Sequence, residues 1–138
     1  MGDSLNLEIR NTRDAILPAS QRAEAWLEPY NPSPQAMNFA LLAIEEHVQN
    51  CIDYAYDDSA EHTIRIEMSV ADETLTMVVI DDGHPFDPLT APAPDLGLDI
   101  QDRREGGLGL HLLRSLADSI AYERREETNR LTLAKRLR

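Results

Sequence analysis

The sequence predicts a single α/β domain, and three observations predict it. Apolar and polar residues alternate near the N-terminus, one long apolar stripe at helical spacing runs through the middle, and two pairs of short apolar runs are joined by polar turns. The chain's 138 residues lie close to the ~150 that serve as a prior for one domain. With 42% apolar and 28% charged residues it has material for a core, which excludes a disordered or collagen-like chain.

Leu5, Leu7 and Ile9 alternate with Asn6, Glu8 and Arg10, the pattern of a strand with one buried face. A helix is expected next, because Pro18 suits a first helical turn, Ala19 to Leu27 favour helix, and Pro29, Pro32 and Pro34 then break it. Met37, Leu41, Ile44, Val48, Cys51 and Ala55 recur at spacings of four and three, which puts them on the core stripe of a long helix ending near Tyr56. Thr63 to Val70 and Leu75 to Ile80 read as a hairpin turning at Ala71, Asp72 and Glu73, its second strand the more buried. From Asp81 to Gly106 the chain carries four prolines and few periodic apolar residues, as a lid or a disordered loop would. The segment 84–106 is therefore expected to be mobile without ligand. Leu108, Leu112, Ser115, Leu116 and Ser119 fall at helical spacings behind Gly106, Gly107 and Gly109, and IAYERR and RLTLAKRL read as two last strands around the turn Glu126 to Asn129.

A net charge of −12 would repel a phosphate backbone and argues against general nucleic-acid binding. The charge is uneven: residues 1–102 sum to −16 and residues 103–138 to +4. Such asymmetry can steer a charged partner, and it also describes an ordinary solvated surface. A lone cysteine, Cys51, cannot close an intrachain disulfide, and MGDSLNLEIRN lacks the pattern of a signal peptide. The longest uncharged apolar runs, AMNFALLAI and LTMVVI, fall short of the ~20 residues that cross a bilayer. A soluble, cytoplasmic protein is expected.

Three constellations carry chemistry. Glu46 and Asn50 lie four apart on the long helix, roughly opposite the core stripe, on a face that begins with Phe39, Leu42 and Ala43. A carboxylate there could orient or deprotonate a hydroxyl and an amide oxygen could ligate Mg²⁺, although a solvated face has the same spacing. In IDDGHPFDP, Asp81 ends a buried strand where it could accept from an exocyclic amine, and Gly83 would let a flat ring approach the backbone; an acidic turn reads the same way. In EGGLGLHLLRSLAD, glycines open a helix whose N–H groups suit phosphate, or they serve as a hinge. No lysine follows as in a P-loop, and no complete GxGxxG follows a strand.

Taken in order, Glu46 with Asn50, DxG at 81–83 and GxG at 107–109 resemble the N, G1 and G2 boxes of the Bergerat-type (GHKL) ATPases, the superfamily of histidine kinases, gyrase B subunits and heat-shock chaperones. Within it, PFDP and GGLGLHLLRSLAD are similar to the anti-sigma factor serine/threonine kinase family. The resemblance spans nearly the whole chain, 1–138, as one histidine-kinase-like ATPase domain, and no phosphoacceptor-histidine domain precedes it, which speaks against a sensor histidine kinase.

That resemblance implies a two-layer α/β sandwich: a mixed, mostly antiparallel sheet, helices on one face, and ATP held in the helical layer under a lid. It implies Glu46 as catalytic base, Asn50 as Mg²⁺ ligand, Asp81 as adenine contact, Gly83 as adenine clearance and Gly107 with Gly109 as phosphate cradle. Arg103 and Arg104 would end the lid, and either could neutralise γ-phosphate. The chain departs from the family's pattern twice. Tyr54 and Ala55 stand where a histidine and a small residue often follow the asparagine, and Asn129 stands where a threonine often helps hold adenine. The function implied is that of an ATP-dependent serine/threonine kinase that phosphorylates a STAS-type anti-sigma factor antagonist and can sequester a sigma factor. A homodimer is suggested by the same resemblance. The alternative is a nucleotide-binding interaction module of the same fold without transfer.

Overall fold

Alternation in the strands becomes one continuous apolar face when their registers are aligned. The structure, a computed structural model, describes residues 4–90 and 107–138, with Gly107 and Leu108 as backbone alone. Five strands, β1 (Ser4–Arg10), β2 (Thr63–Ala71), β3 (Thr74–Asp81), β4 (Ser119–Arg125) and β5 (Thr128–Arg136), form a sheet in the order β1-β2-β3-β5-β4. Every pairing among the described strands is antiparallel, in keeping with the mixed but mostly antiparallel sheet expected, and no parallel pair occurs among them. Two tight hairpins, β2 to β3 and β4 to β5, impose two of these pairings, while β1 with β2 and β3 with β5 pair across other intervening elements. Leu7, Ile66, Val79, Leu131 and Tyr122 stand opposite one another in successive registers, so one row crosses the whole sheet.

The helices cover that face. α1 (Ile16–Leu27) stops where Pro29 was expected to stop it. The central helix starts earlier than its stripe: Pro34 occupies its first turn and Ser33 caps it, the Oγ accepting from the Ala36 N–H at 3.1 Å. A proline read as a breaker therefore opens the helix, where its missing N–H costs nothing. This helix runs through three segments without a break: α2 (Pro34–Leu42), a π-helical segment (Ala43–Val48) and α3 (Gln49–Tyr54). Ile44, Val48, Cys51 and Ala55 of the expected stripe are fully buried, as are Phe39 and Ala43 on the second side, while Met37 is only partly buried against the core.

α4 (Gly107–Leu116) sits at the expected place with a different face inward. Leu110 and Leu113 are buried and Leu116 packs against the core, while Leu112 is 45% exposed, so the inward face does not run through Leu112. Adjacent leucines fit two helical templates equally well, and contact with the π-helical segment and α2 selects the second. Lys135 closes the end of α4, donating from Nζ to the Leu116 carbonyl at 2.7 Å. The expected lid falls outside the described residues beyond Thr90, as do Arg103 and Arg104. Among the described residues no helix is long and apolar enough to cross a membrane.

Candidate functional site

The centre of the long helix departs from α geometry where the first constellation lies. Glu46 belongs to the π-helical segment, a rare backbone form found frequently at functional sites, and Asn50 begins the α-helix beyond it. Glu46 is half-buried and Glu45 exposed, so the two neighbouring acids are separated by environment. Asn50 is only 4% exposed, and its amide makes no hydrogen bond among the described residues. Its amide atoms are not among the buried unpartnered ones, so they stay within reach of solvent or a ligand. Amide oxygen is also a donor that Mg²⁺ accepts, in company with water and phosphate oxygens. No cluster of three or more acidic, histidine or cysteine ligands exists among the described residues, so an all-protein metal cage is absent from them.

Gly109 meets Glu46. A Cβ at position 109 would meet the Glu46 carboxyl group, so glycine lets the first turn of α4 lie against that acid without the side chain moving aside. This contact joins the first and third constellations, 63 positions apart in the chain. Gly107 is the first residue of α4.

The second constellation is held by a buried polar chain. Asp81 ends β3 and pairs in register with Asn129 of β5, on the face that carries Val79 and Leu131. One of its oxygens, Oδ1, accepts from the Gly83 N–H at 2.9 Å and from Asn129 Nδ2 at 2.8 Å. The other, Oδ2, accepts from the Cys51 thiol at 3.4 Å, and His47 Nε2 lies 3.6 Å from that sulfur. Burial pushes the Cys51 thiol well up, with the Asp81 charge adding to it, and burial pushes His47 down to about 4 against the opposing pull of Asp81. Both are therefore neutral at physiological pH.

Gly83 has a different physical reason from the one expected. The space its missing side chain leaves is filled by Ala55, whose backbone a Cβ would strike. The glycine is thus required by the packing of this loop on the end of the long helix, and the His84 N–H binds the Ala55 carbonyl there at 2.8 Å. Three histidine–carboxylate contacts, made by two histidines, reinforce the same junction. His84 Nδ1 lies 3.0 Å from Asp57, and His62 bridges Asp58 at 2.8 Å and Asp82 at 3.3 Å while stacking on Tyr56. Of the two departures from the family pattern, Tyr54 is 38% exposed and faces Phe86 with ring centroids 6.3 Å apart, and Asn129 is 4% exposed beside Asp81.

Glu46, Asn50 and Gly109 thus gather around the helix centre, and Asp81 and Gly83 lie beneath it, tied to the helix by Cys51 and Ala55. Sequence reasoning passed over His47, which lies hidden inside the first motif, and the partners of Asn129, which come from the 81–86 stretch and from β4. A distinct cleft of about 440 Å³ opens beside Asn11, Thr12, Ile52 and Tyr56, and none of the expected site residues lines it.

Residues 9–135 match the family described as the histidine kinase-like ATPase domain. The chain is 28% identical over 92 residues to the serine/threonine-protein kinase BtrW of Bordetella bronchiseptica, an alignment covering 67% of this chain and 65% of that protein. It is 30% identical over 87 residues to the serine-protein kinase RsbW of Bacillus subtilis, covering 59% and 54%. It is 20% identical over 138 residues to the anti-sigma F factor of Clostridium novyi, covering 99% and 96%. Among solved structures, the RsbU and RsbW domains of a Mycobacterium tuberculosis protein superpose with a TM-score of 0.69 at 19% identity, over 98% of this chain and 32% of that one. The matched stretch thus spans between half and two thirds of the kinases' own length.

Proposed function

Because the chain belongs to the histidine kinase-like ATPase domain family, we propose that it binds Mg²⁺-ATP between the long helix and α4 and transfers the γ-phosphoryl group to a serine or threonine of an anti-sigma factor antagonist. The observation that carries this reading is the meeting of Glu46 with Gly109, beside an Asn50 amide that no described residue satisfies. A carboxylate against the opening turn of a helix puts a proton acceptor beside the N–H groups that suit phosphate. The names of the relatives, serine-protein kinase and anti-sigma factor, support the same assignment.

When bound, Mg²⁺ would offset the charge of the phosphate oxygens. The chain's own residues do the positioning. Asn50 supplies an oxygen to the metal, Asp81 accepts from the adenine amine, and the first turn of α4, opened by Gly107 and Gly109, presents N–H groups to phosphate. Gly83 sets the height of the Asp81 loop by its seat on Ala55. Arg103 or Arg104 would neutralise γ-phosphate charge. Glu46 accepts the proton of the attacking hydroxyl, the γ-phosphoryl passes to that oxygen, and ADP leaves. Sequestration of a sigma factor in the cytoplasm, and association as a homodimer, complete the reading.

Incubation with γ-labelled ATP and a purified antagonist domain from the same genome tests it. Label should appear on the antagonist, and Glu46→Gln should reduce the rate by the ~10²-fold or more expected of a general base while ATP affinity is nearly kept. Glu45→Gln, altered on the exposed side, should retain most of the activity. ATP binding without any labelling would favour a nucleotide-dependent interaction module, and a dead Glu45→Gln would place the wrong acid at the site.

A further inference from the structure

Asp81 is the only buried carboxylate among the described residues, and most of its hydrogen-bonding capacity is already committed. Each carboxylate oxygen can accept about two bonds. Oδ1 has both, from the Gly83 N–H and Asn129 Nδ2, and Oδ2 has one, from the Cys51 thiol. One acceptor position, on Oδ2, is left among the described residues.

Asn129 is equally committed. Its Nδ2 group uses one N–H on Asp81 and the other on the His84 carbonyl at 2.8 Å. Its Oδ1 accepts from the Phe86 N–H at 3.1 Å, from Arg124 at 3.3 Å and from the Tyr122 hydroxyl. An amide so saturated has no donor or acceptor to offer a ligand, so it acts through Asp81. Arg124 adds a bond to the Gly83 carbonyl at 2.7 Å, which ties the loop and the last hairpin together once more.

We propose that Asn129 is a positioning residue that sets the base selectivity of the pocket: by occupying Oδ1 it makes Asp81 a single-acceptor reader that takes adenine and refuses guanine. This inference rests on the nucleotide-binding reading above. Adenine offers one donor, its exocyclic amine, next to a ring nitrogen that accepts. Guanine offers two adjacent donors, the ring N–H and the 2-amine, which a carboxylate receives best with both oxygens. With Oδ1 occupied, the second guanine donor would be buried without a partner, the situation that polar sites reject most strongly.

Calorimetric titration with Mg²⁺-ATP and Mg²⁺-GTP tests this on the whole chain. Wild type should favour ATP. Asn129→Ala, which releases Oδ1, should lower the ATP-to-GTP affinity ratio by ~10-fold or more, chiefly through tighter GTP binding, since one charge-assisted hydrogen bond is of that order. Tyr122→Phe removes a bond to Asn129 but not the one to Asp81, and should keep the wild-type ratio. If Asn129→Ala shows no cooperative melt, Asn129→Ser serves in its place, its short hydroxyl unable to span both Asp81 and the His84 carbonyl. A folded variant with an unchanged ratio, or with both nucleotides weakened equally, overturns the proposal, the second result being that of a merely structural residue. A wild type that binds ATP and GTP alike overturns it while sparing the nucleotide reading. A wild type that binds neither overturns both.

Discussion

Burial decides the chemistry of His47 before any ligand does. Its ring is 3% exposed, its Nδ1 has no partner among the described residues, and it stays neutral because desolvation lowers its pKa from 6.5 to about 4. The folded state therefore binds fewer protons than the unfolded chain between these values, and stability falls as pH drops through that window. The loss is about 3 kcal/mol, from ~1.4 kcal/mol per pKa unit. His62 acts on the other side of 6.5. Its pKa is raised, chiefly by its hydrogen bond to Asp58, against an opposing effect of burial, with a further contribution from Asp82. Its contribution is complete below the unfolded value and fades as pH rises through the folded one. Urea unfolding at pH 6.5, 5 and 4 should show the acid loss, and His47→Gln should flatten it. If the variant kept the full wild-type slope, the carboxylates alone would be responsible.

Between residues and fold stand the two hairpins, and both turn on residues poorly suited to the task. Asp72 and Glu73 have φ of 52° and 64°, and Glu126 and Glu127 have φ of 50° and 67°, so each turn is a two-residue loop with both residues left-handed. That geometry matches the twist of the flanking strands and prefers Asn-Gly, and a non-glycine side chain in it costs roughly 1–2 kcal/mol. Glu127→Gly should therefore raise stability by about 0.5–1 kcal/mol, after the entropy of the added glycine is subtracted, read as a higher urea midpoint at unchanged slope. A lower midpoint would mean that the glutamate side chain supports the turn. The same turns show what the sequence carries. Acidic residues marked both, yet the first turn was read one residue too long and the second two, because nothing in Asp-Glu or Glu-Glu announces positive φ as Asn-Gly does. Strands were legible because a sheet covered on one face enforces period two. Glu46, Asn50, Asp81 and Gly109 were legible because their order and spacing form a motif. The π-helical segment was not, since its i→i+5 bonds depend on what packs around it, and neither was the role of Gly83, which is set by Ala55 from a distant segment.

At the scale of the molecule, the polar chain from His47 through Cys51 and Asp81 to Asn129 links the helical layer to the sheet beneath the candidate site. Its second member, Cys51, is the only sulfhydryl in the protein, fully buried, with burial raising its pKa well above the usual range. A thiol reagent attacks only thiolate that it can reach, so it can modify Cys51 only when helix and sheet part. Labelling by an aromatic disulfide reagent thus becomes a clock for separation of the two layers at this spot. Mg²⁺-ATP at a hundredfold excess over its dissociation constant should slow the clock by up to ~10²-fold, because binding the closed form withdraws the open one. An unchanged rate would mean that nucleotide and layer separation are uncoupled. The native sequence therefore already contains a single-site probe of its own breathing, with no engineered label required.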